Sequence, residues 1–353
     1  MTDYLIIGAG LAGIAFAEKA LQNNRSILIY NSHKFSASRV AAGIYNPVVV
    51  KRLSVVADAH QHLESMNSFY DALDDKLQST FRRPMPLLRR FHSPEEQNNW
   101  FGALDKIPLS DFLSADIVND KFNGLSSPYN FGKVLFTGYV DTKHLLNSYH
   151  LYLAESQLSI EQDFNFPGLT ITPEAVFYNG RQARNIIFAE GFGLKDNPYF
   201  NYLPLNGTKG ELLTIFAPAL ELDQIINTGI FILPLGKGMF KVGATYNWTD
   251  KSDIPTTQAL LELEDKLREV ITCGYEIIDH SAGVRPTVRD RKPLIGTHHE
   301  FKNLHVLNGL GTRGVMLAPA MANALFDAIE YKKPLAREID IRRYDSLLPA
   351  DFS

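Results

Sequence analysis

The sequence predicts an α/β chain in which a Rossmann-like domain is joined to a second, α+β domain built on an antiparallel sheet. Three observations predict it. A strand, glycine turn, helix and second strand open the chain over residues 4–31. Two long apolar stretches, 208–218 and 228–248, read as strands joined by tight turns. Finally, 353 residues exceed what one ordinary core accommodates, so two domains are expected.

The opening unit is DYLIIGAGLAGIAFAEKALQ. Tyr4 to Ile7 reads as a buried strand, and Gly8, Gly10 and Gly13 follow in G-x-G-x-x-G spacing. Ile14, Ala17 and Leu21 then share one helical face, and SILIYN at 26–31 supplies the next strand. Each glycine has a reason. Gly8 permits the tight turn, Gly10 lets backbone approach a pyrophosphate, and Gly13 lets helix pack on strand. The helix N-terminus, with Leu11 and Ala12, then faces the phosphates. A carboxylate normally ends the second strand and holds the ribose hydroxyls. Here that position is Asn31, whose neutral hydrogen bonds are worth about 0.5–1.5 kcal/mol against about 1.5–3 for charged ones.

The totals exclude several classes. Lys plus Arg is 35 against 39 Asp plus Glu, a net charge of −4, which argues against bulk electrostatic capture of nucleic acid. One cysteine, Cys273, leaves no disulfide framework and no cysteine-ligated metal cluster, as expected for a cytoplasmic protein. The apolar run 4–17 is not expected to be a signal peptide, because Asp3 rather than a cation precedes it and Glu18-Lys19 close it. No run of about 18 apolar residues suggests a membrane span.

Further along, SASRVAAGIYNPVV (36–49) reads as a small-residue loop able to pass close to a flat ring, and 57–77 as an amphipathic helix. NIIFAEGFG ends a strand at Ala189-Glu190-Gly191. A helix is expected at 256–271, then AGVRPTVRDRKPLIG (282–296), a strand at 304–309, and a helix at 316–331 with Pro319 in its first turn. Between these last two lies NGLGTRGVMLAP, 308–319. His298-His299 has no acid or cysteine cluster beside it, so no metal site is expected.

Taken in order, G-A-G-L-A-G at 8–13, R-V-A-A-G at 39–43, A-E-G at 189–191, K-G-E-L at 209–212, V-G-A-T at 242–245, G-V-R-P-T-V-R-D-R-K-P-L-I-G at 283–296 and G-L-G-T-R-G-V-M-L-A-P at 309–319 resemble the D-amino-acid oxidase and glycine oxidase family of FAD-dependent enzymes. In wording they are nearest to the flavin domain of the bifunctional enzymes that complete methylaminomethyl-uridine in tRNA. The methyltransferase half of those enzymes has no counterpart in these 353 residues.

The resemblance implies FAD, held at Gly8, Gly10, Leu11, Ala12, Gly13, Asn31, Arg39, Ala42, Gly43, Gly191, Gly311, Thr312, Arg313, Gly314 and Val315. It implies an FAD domain of 1–77, 132–205 and 283–353, interleaved with a substrate domain of 78–131 and 206–282. Non-covalent attachment is expected, because the position of the linking cysteine in some relatives is Ala282. Arg285 matches the arginine that grips a substrate carboxylate; the alternative is a structural pair with Asp290. Arg313 is assigned to substrate or flavin, or to a surface ion pair, since family members often carry that arginine where Thr312 stands. Tyr246 is a pocket candidate, and His280 a weaker one on the Arg285 strand.

Three functions remain open: oxidation of a small amino acid or secondary amine by hydride transfer to flavin, with O2 or a carrier as acceptor; modification of a tRNA wobble uridine, with Lys51-Arg52, Arg82-Arg83 and Arg89-Arg90 as a phosphate patch; or a flavin-binding subunit without turnover. Catalysis by flavin needs no acid or base from the chain, so none is assigned.

Overall fold

The computed structural model describes residues 1–32 and 37–348; Ser36, the first residue of the small-residue loop, lies outside them. Along the chain run β1 (Thr2–Ile7), α1 (Leu11–Gln22), β2 (Ile27–Asn31), α2 (Ala59–Leu77), α3 (Thr142–Glu155), β3 (Arg181–Phe188), β4 (Thr208–Phe216), β5 (Met239–Gly243), α4 (Thr257–Arg268), β6 (Glu276–Arg285), β7 (Leu304–Asn308) and α5 (Gly314–Tyr331), among shorter elements.

The first sheet has β1 at its centre, parallel to β2 and β3. Ser159–Glu161 extends it beyond β2, and β7 lies parallel to β3 on the other side. Alternation of side chains divides β1 between two cores. Tyr4 and Ile6 pack with Ile14 and Phe16 of α1, Met66 and Tyr70 of α2, and Leu325 and Phe326 of α5. Leu5 and Ile7 pack on the opposite face with Leu28, Tyr30, Phe188 and Phe200. Strands buried on both faces read as continuous apolar runs, which is why LII and ILIY carry no polar alternation. Glu18 does not close α1 at the surface. It is buried, and its carboxylate accepts from Lys76 Nζ at 2.5 Å and Tyr149 Oη at 2.6 Å.

The second sheet runs in the order β6, β4, β5, Phe231–Gly236, Ile225–Asn227, Leu87–Arg90, Phe131–Val134 and Leu113–Val118. It is antiparallel except where Ile225–Asn227 meets Leu87–Arg90. Leu263 and Leu267 of α4 cover Leu213, Ile215, Phe240 and Val242 on one face. The boundary placed at 131/132 cuts through Phe131–Val134, which pairs in this sheet. The boundary at 282/283 cuts through β6 in the same way, because β6 continues to Arg285 against β4. Chain order does not reveal such pairing partners.

Two expectations about local structure change. The 36–49 segment is not a plain loop, since Ala37–Val40 forms one helical turn and Ile44–Tyr45 pairs with Gly138–Val140. Pro319 is not in the first turn of α5, because the helix starts at Gly314. Proline has no N–H to give the Val315 carbonyl four residues back. The hydroxyl of fully buried Tyr70 supplies the donor instead, at 3.0 Å. Tyr70→Phe is therefore expected to destabilise the protein by about 1–3 kcal/mol, the cost of a buried acceptor left unsatisfied. Urea denaturation measures this; an unchanged midpoint would mean that Val315 finds another donor.

Candidate active site

The first sheet's parallel strands all end on one cleft, where open α/β sheets bind ligands. Gly8 follows β1, Asn31 ends β2, Ala189–Gly191 follows β3 and Gly309–Gly314 follows β7. The cleft measures about 1090 Å³, and its far wall comes from the second sheet, with Gly210, Leu212, Ala244, Tyr246, Gly283 and Arg285. Gly8, Gly10, Leu11, Ala12, Asn31, Arg39, Ala42, Gly43, Gly191, Gly311, Thr312, Arg313, Gly314 and Val315 all line it. Gly13 does not. It lies behind the turn, where a Cβ would stand 1.9 Å from the Gly8 carbonyl oxygen, the close helix–strand packing expected of the third glycine. At Gly8, φ is +101° and a Cβ would meet the Ala189 oxygen at 2.5 Å, so only glycine fits there.

Side chains distant in sequence brace this floor. Arg39 donates to Asn147 Oδ1 at 2.7 Å and to His150 Nδ1 at 3.2 Å, and His150 Nε2 meets the Ala9 carbonyl at 2.9 Å. His150 is thus a neutral ring with its proton on Nε2, and burial lowers its pKa. Asn308 donates to the Gly191 carbonyl at 3.0 Å, tying the β3 turn to the β7 turn. Glu161 pairs in register with Asn31 and also lines the cleft, so a carboxylate stands one strand away from the expected position. His150 and Glu161 lie outside every motif, and no local pattern marks them.

Glu190 was visible only as the middle of A-E-G. Burial pushes its carboxyl up to about 7, against the lowering effect of Asn197 Nδ2, which donates to it at 2.7 Å. The folded chain therefore holds a proton that the unfolded chain releases near the ordinary value of 4.5. That contribution to stability is complete below the unfolded pKa and is lost as pH rises through about 7. Unfolding free energy is expected to fall between pH 5 and 7, and Glu190→Gln to flatten the slope. Urea titrations at the two pH values test this; a wild-type slope retained in the variant would remove Glu190 as its source.

Arg285 ends β6 with its guanidinium over Gly210, where a Cβ would lie 1.9 Å from Nη2. Nη1 donates to the Thr245 carbonyl at 3.2 Å, and Cζ lies 4.7 Å from the centre of the Tyr246 ring. Asp290 does not reach it, being paired with Arg343 at 3.0 Å. Burial lowers the Arg285 pKa, with Tyr246 the opposing influence. Tyr246 lines the cleft and is 60% exposed, so it stands at the cleft mouth.

The K-G-E-L motif positions Tyr246 from the far side of β4. Lys209, fully buried, donates to Asp250 Oδ2 at 2.6 Å and Ser252 Oγ at 3.1 Å, and it holds the Asp250 carboxyl down to about 2. The backbones of Lys209 and Asn247 exchange two hydrogen bonds of 2.9 Å, fixing the residue after Tyr246. Glu211 accepts from Thr256 N at 2.8 Å and lies 2.9 Å from His280. His280 is five residues from Arg285, and an odd separation places it on the opposite face of β6. It does not approach the cleft.

Among the described residues no group of three His, Cys, Asp or Glu could hold a metal, and no helix is long and apolar enough to cross a membrane. His298 is buried and stacked on Phe301 at 5.2 Å. Arg82 pairs with Asp71, Arg89 with Glu96, and Arg90 is buried with Nε on the Ser126 carbonyl, so three of the arginines considered for a phosphate patch are engaged within the chain. Cys273 lies against Gly124 and is not among the cleft residues.

A family model described as FAD dependent oxidoreductase matches residues 3–328. The chain belongs to that family. As a member it is an FAD-dependent enzyme, and the glycine-lined floor of the cleft fits the cofactor. A glycine oxidase of Bacillus subtilis is 22% identical over 94% of each chain. The tRNA 5-methylaminomethyl-2-thiouridine biosynthesis bifunctional protein MnmC of Marinobacter nauticus is 21% identical over 92% of this chain and 55% of its own. Among solved structures, glycine oxidase from Bacillus cereus superposes with a TM-score of 0.77 at 19% identity, covering 95% of this chain and 96% of that one. Iminodiacetate oxidase from Chelativorans sp. BNC1 superposes at 0.75 and 18%, covering 97% and 98%. At these identities the likeness shows the fold.

Proposed function

We propose that this FAD-dependent oxidoreductase oxidises the C–N bond of a small amino acid or secondary amine whose carboxylate is gripped by Arg285. The observation that carries the reading is the Arg285 guanidinium itself. It is turned into the cleft and largely buried, with no carboxylate partner among the described residues, while Thr245 and Tyr246 fix its orientation. A planar cation held in this way offers a carboxylate two parallel donors.

Gly8 and Gly10 let backbone close on a pyrophosphate at the N-terminus of α1. Gly314 and Val315, the first two residues of α5, line the cleft, and the N-terminal end of a helix favours negative charge there. FAD, bound non-covalently at these residues, would supply the acceptor of a hydride, which carries the two electrons of the oxidation. The chain's own task is orientation: Arg285 sets where the carboxylate lies and therefore where the adjacent carbon lies, and Tyr246 screens the ion pair from water at the cleft mouth.

The test is flavin bleaching without oxygen against a panel of amines, amino acids and 2-hydroxy acids. Small carboxylate-bearing amines are expected to reduce the flavin, and admission of air then shows whether O2 or a carrier accepts the electrons. Reduction by 2-hydroxy acids alone would overturn the reading.

A further inference from the structure

We propose that Glu161 holds the adenosine ribose of FAD, in place of the carboxylate that ordinarily ends the second strand of a dinucleotide-binding sheet. The inference concerns the cofactor and does not depend on which amine is oxidised. In this chain β2 ends in Asn31, which offers the ribose hydroxyls only neutral hydrogen bonds. The next strand outward, Ser159–Glu161, runs parallel to β2 with Ser159 opposite Ile29, Ile160 opposite Tyr30 and Glu161 opposite Asn31. Parallel neighbours lie about 4.8 Å apart, so the carboxylate is displaced by one strand spacing at the same height in the sheet.

The face is fixed as well as the height. Side chains alternate along a strand. Tyr30 packs in one core with Ile160 against it, while Ile27 and Ile29 pack in the other with Ile14 and Ala17 of α1. Asn31 and Glu161 therefore both project on the side of the sheet that α1 covers, and it is the N-terminus of α1 that receives the pyrophosphate. The backbone secures the pair, because Gln162 N–H donates to the Asn31 carbonyl at 3.0 Å. Both residues line the cleft. Other carboxylates of the lining stand elsewhere. Glu190 and Asp196 follow β3, which lies on the opposite side of β1 from β2. Asp163 lies beyond the last residue that pairs with β2, so no strand fixes its height. A carboxylate has only acceptors, and two neighbouring hydroxyls both donate to it. Glutamate is one methylene longer than aspartate, which helps it to reach from the outer strand towards the place above β2.

The experiment titrates FAD into the flavin-stripped, full-length protein and follows flavin fluorescence. Glu161→Ala is expected to bind FAD about 10–150-fold more weakly, the effect of one charge-assisted hydrogen bond, and Glu161→Gln about 5–15-fold, because its amide keeps a neutral acceptor. Asp163→Asn should stay close to the wild type. Displacement of FAD by ADP and by 2′,3′-dideoxy-ADP assigns the contact to the ribose: ADP should act at the lower concentration on the wild type, and the two should converge in Glu161→Ala. Wild-type FAD affinity in Glu161→Ala makes Glu161 a solvated strand-end charge and overturns the inference. Tighter binding of both ADP compounds to Glu161→Gln overturns it too, because that is the sign expected of a carboxylate that merely repels the diphosphate. A loss of FAD affinity that leaves the preference for ADP intact does the same. Should Glu161→Ala melt below the wild type, the isosteric Glu161→Gln decides by the same comparison.

Discussion

Replacing Arg285 by lysine is expected to leave fold and flavin in place and to lower kcat/KM for a carboxylate-bearing amine by about 10–150-fold. Lysine keeps the charge but offers a point ammonium in place of two parallel donors. The loss of one charge-assisted bond, about 1.5–3 kcal/mol, converts to that range. Arg285→Ala should cost more. The decisive comparison is an amine without the carboxylate, which should lose nothing further in either variant, whereas general damage would lower both substrates together. Gly210→Ala gives an independent arm. Its Cβ would fall 1.9 Å from Arg285 Nη2, so the guanidinium must swing aside while its charge remains. The same selective loss is expected. If the carboxylate-free amine falls as far as the amino acid in all three variants, Arg285 is a structural residue.

The second large effect separates two glycines of one motif. At Gly10 an added Cβ finds Ser38 Oγ as its nearest neighbour, at 3.3 Å, so the protein itself accommodates a methyl group with a small shift. The methyl would stand where backbone must close on the pyrophosphate. Gly10→Ala should therefore fold normally and bind FAD about 5–150-fold more weakly, the equivalent of about 1–3 kcal/mol of overpacking; Gly10→Val should retain little flavin. Gly13→Ala should do the reverse damage first. Its Cβ would fall 1.9 Å from a backbone oxygen, so α1 must move off β1 and the flavin-free protein should itself melt lower. Flavin fluorescence titration and thermal unfolding of the stripped proteins separate the two effects. Full FAD affinity in Gly10→Ala would remove the G-A-G turn as the cofactor's seat.

Much of the cleft was legible because its demands are local. A positive φ at Gly8, a close approach at Gly13, or a helix beginning just after Gly311–Arg313 each constrains a residue through its own backbone, so each leaves a mark in sequence spacing. Even so, local reading starts α5 two residues late and so puts Pro319 in its first turn, because the α5 start depends on the turn that docks Gly311 N–H on the Pro286 carbonyl at 3.2 Å.

The sequence by itself determined the glycine turns, the strand and helix order, the family resemblance and the candidacy of Arg285 and Arg313. The tertiary structure alone decided their company. Tyr246 over Arg285, Gly210 beneath it, His150 against Ala9, Lys209 against Asp250 and Tyr70 beneath Val315 join residues from 39 to 245 positions apart in the chain. His280 faces away from Arg285 although both lie on one strand. Such contacts depend on strand order, register and the face each side chain takes, and pairing between distant segments is set by global packing, which no local pattern of residue types encodes.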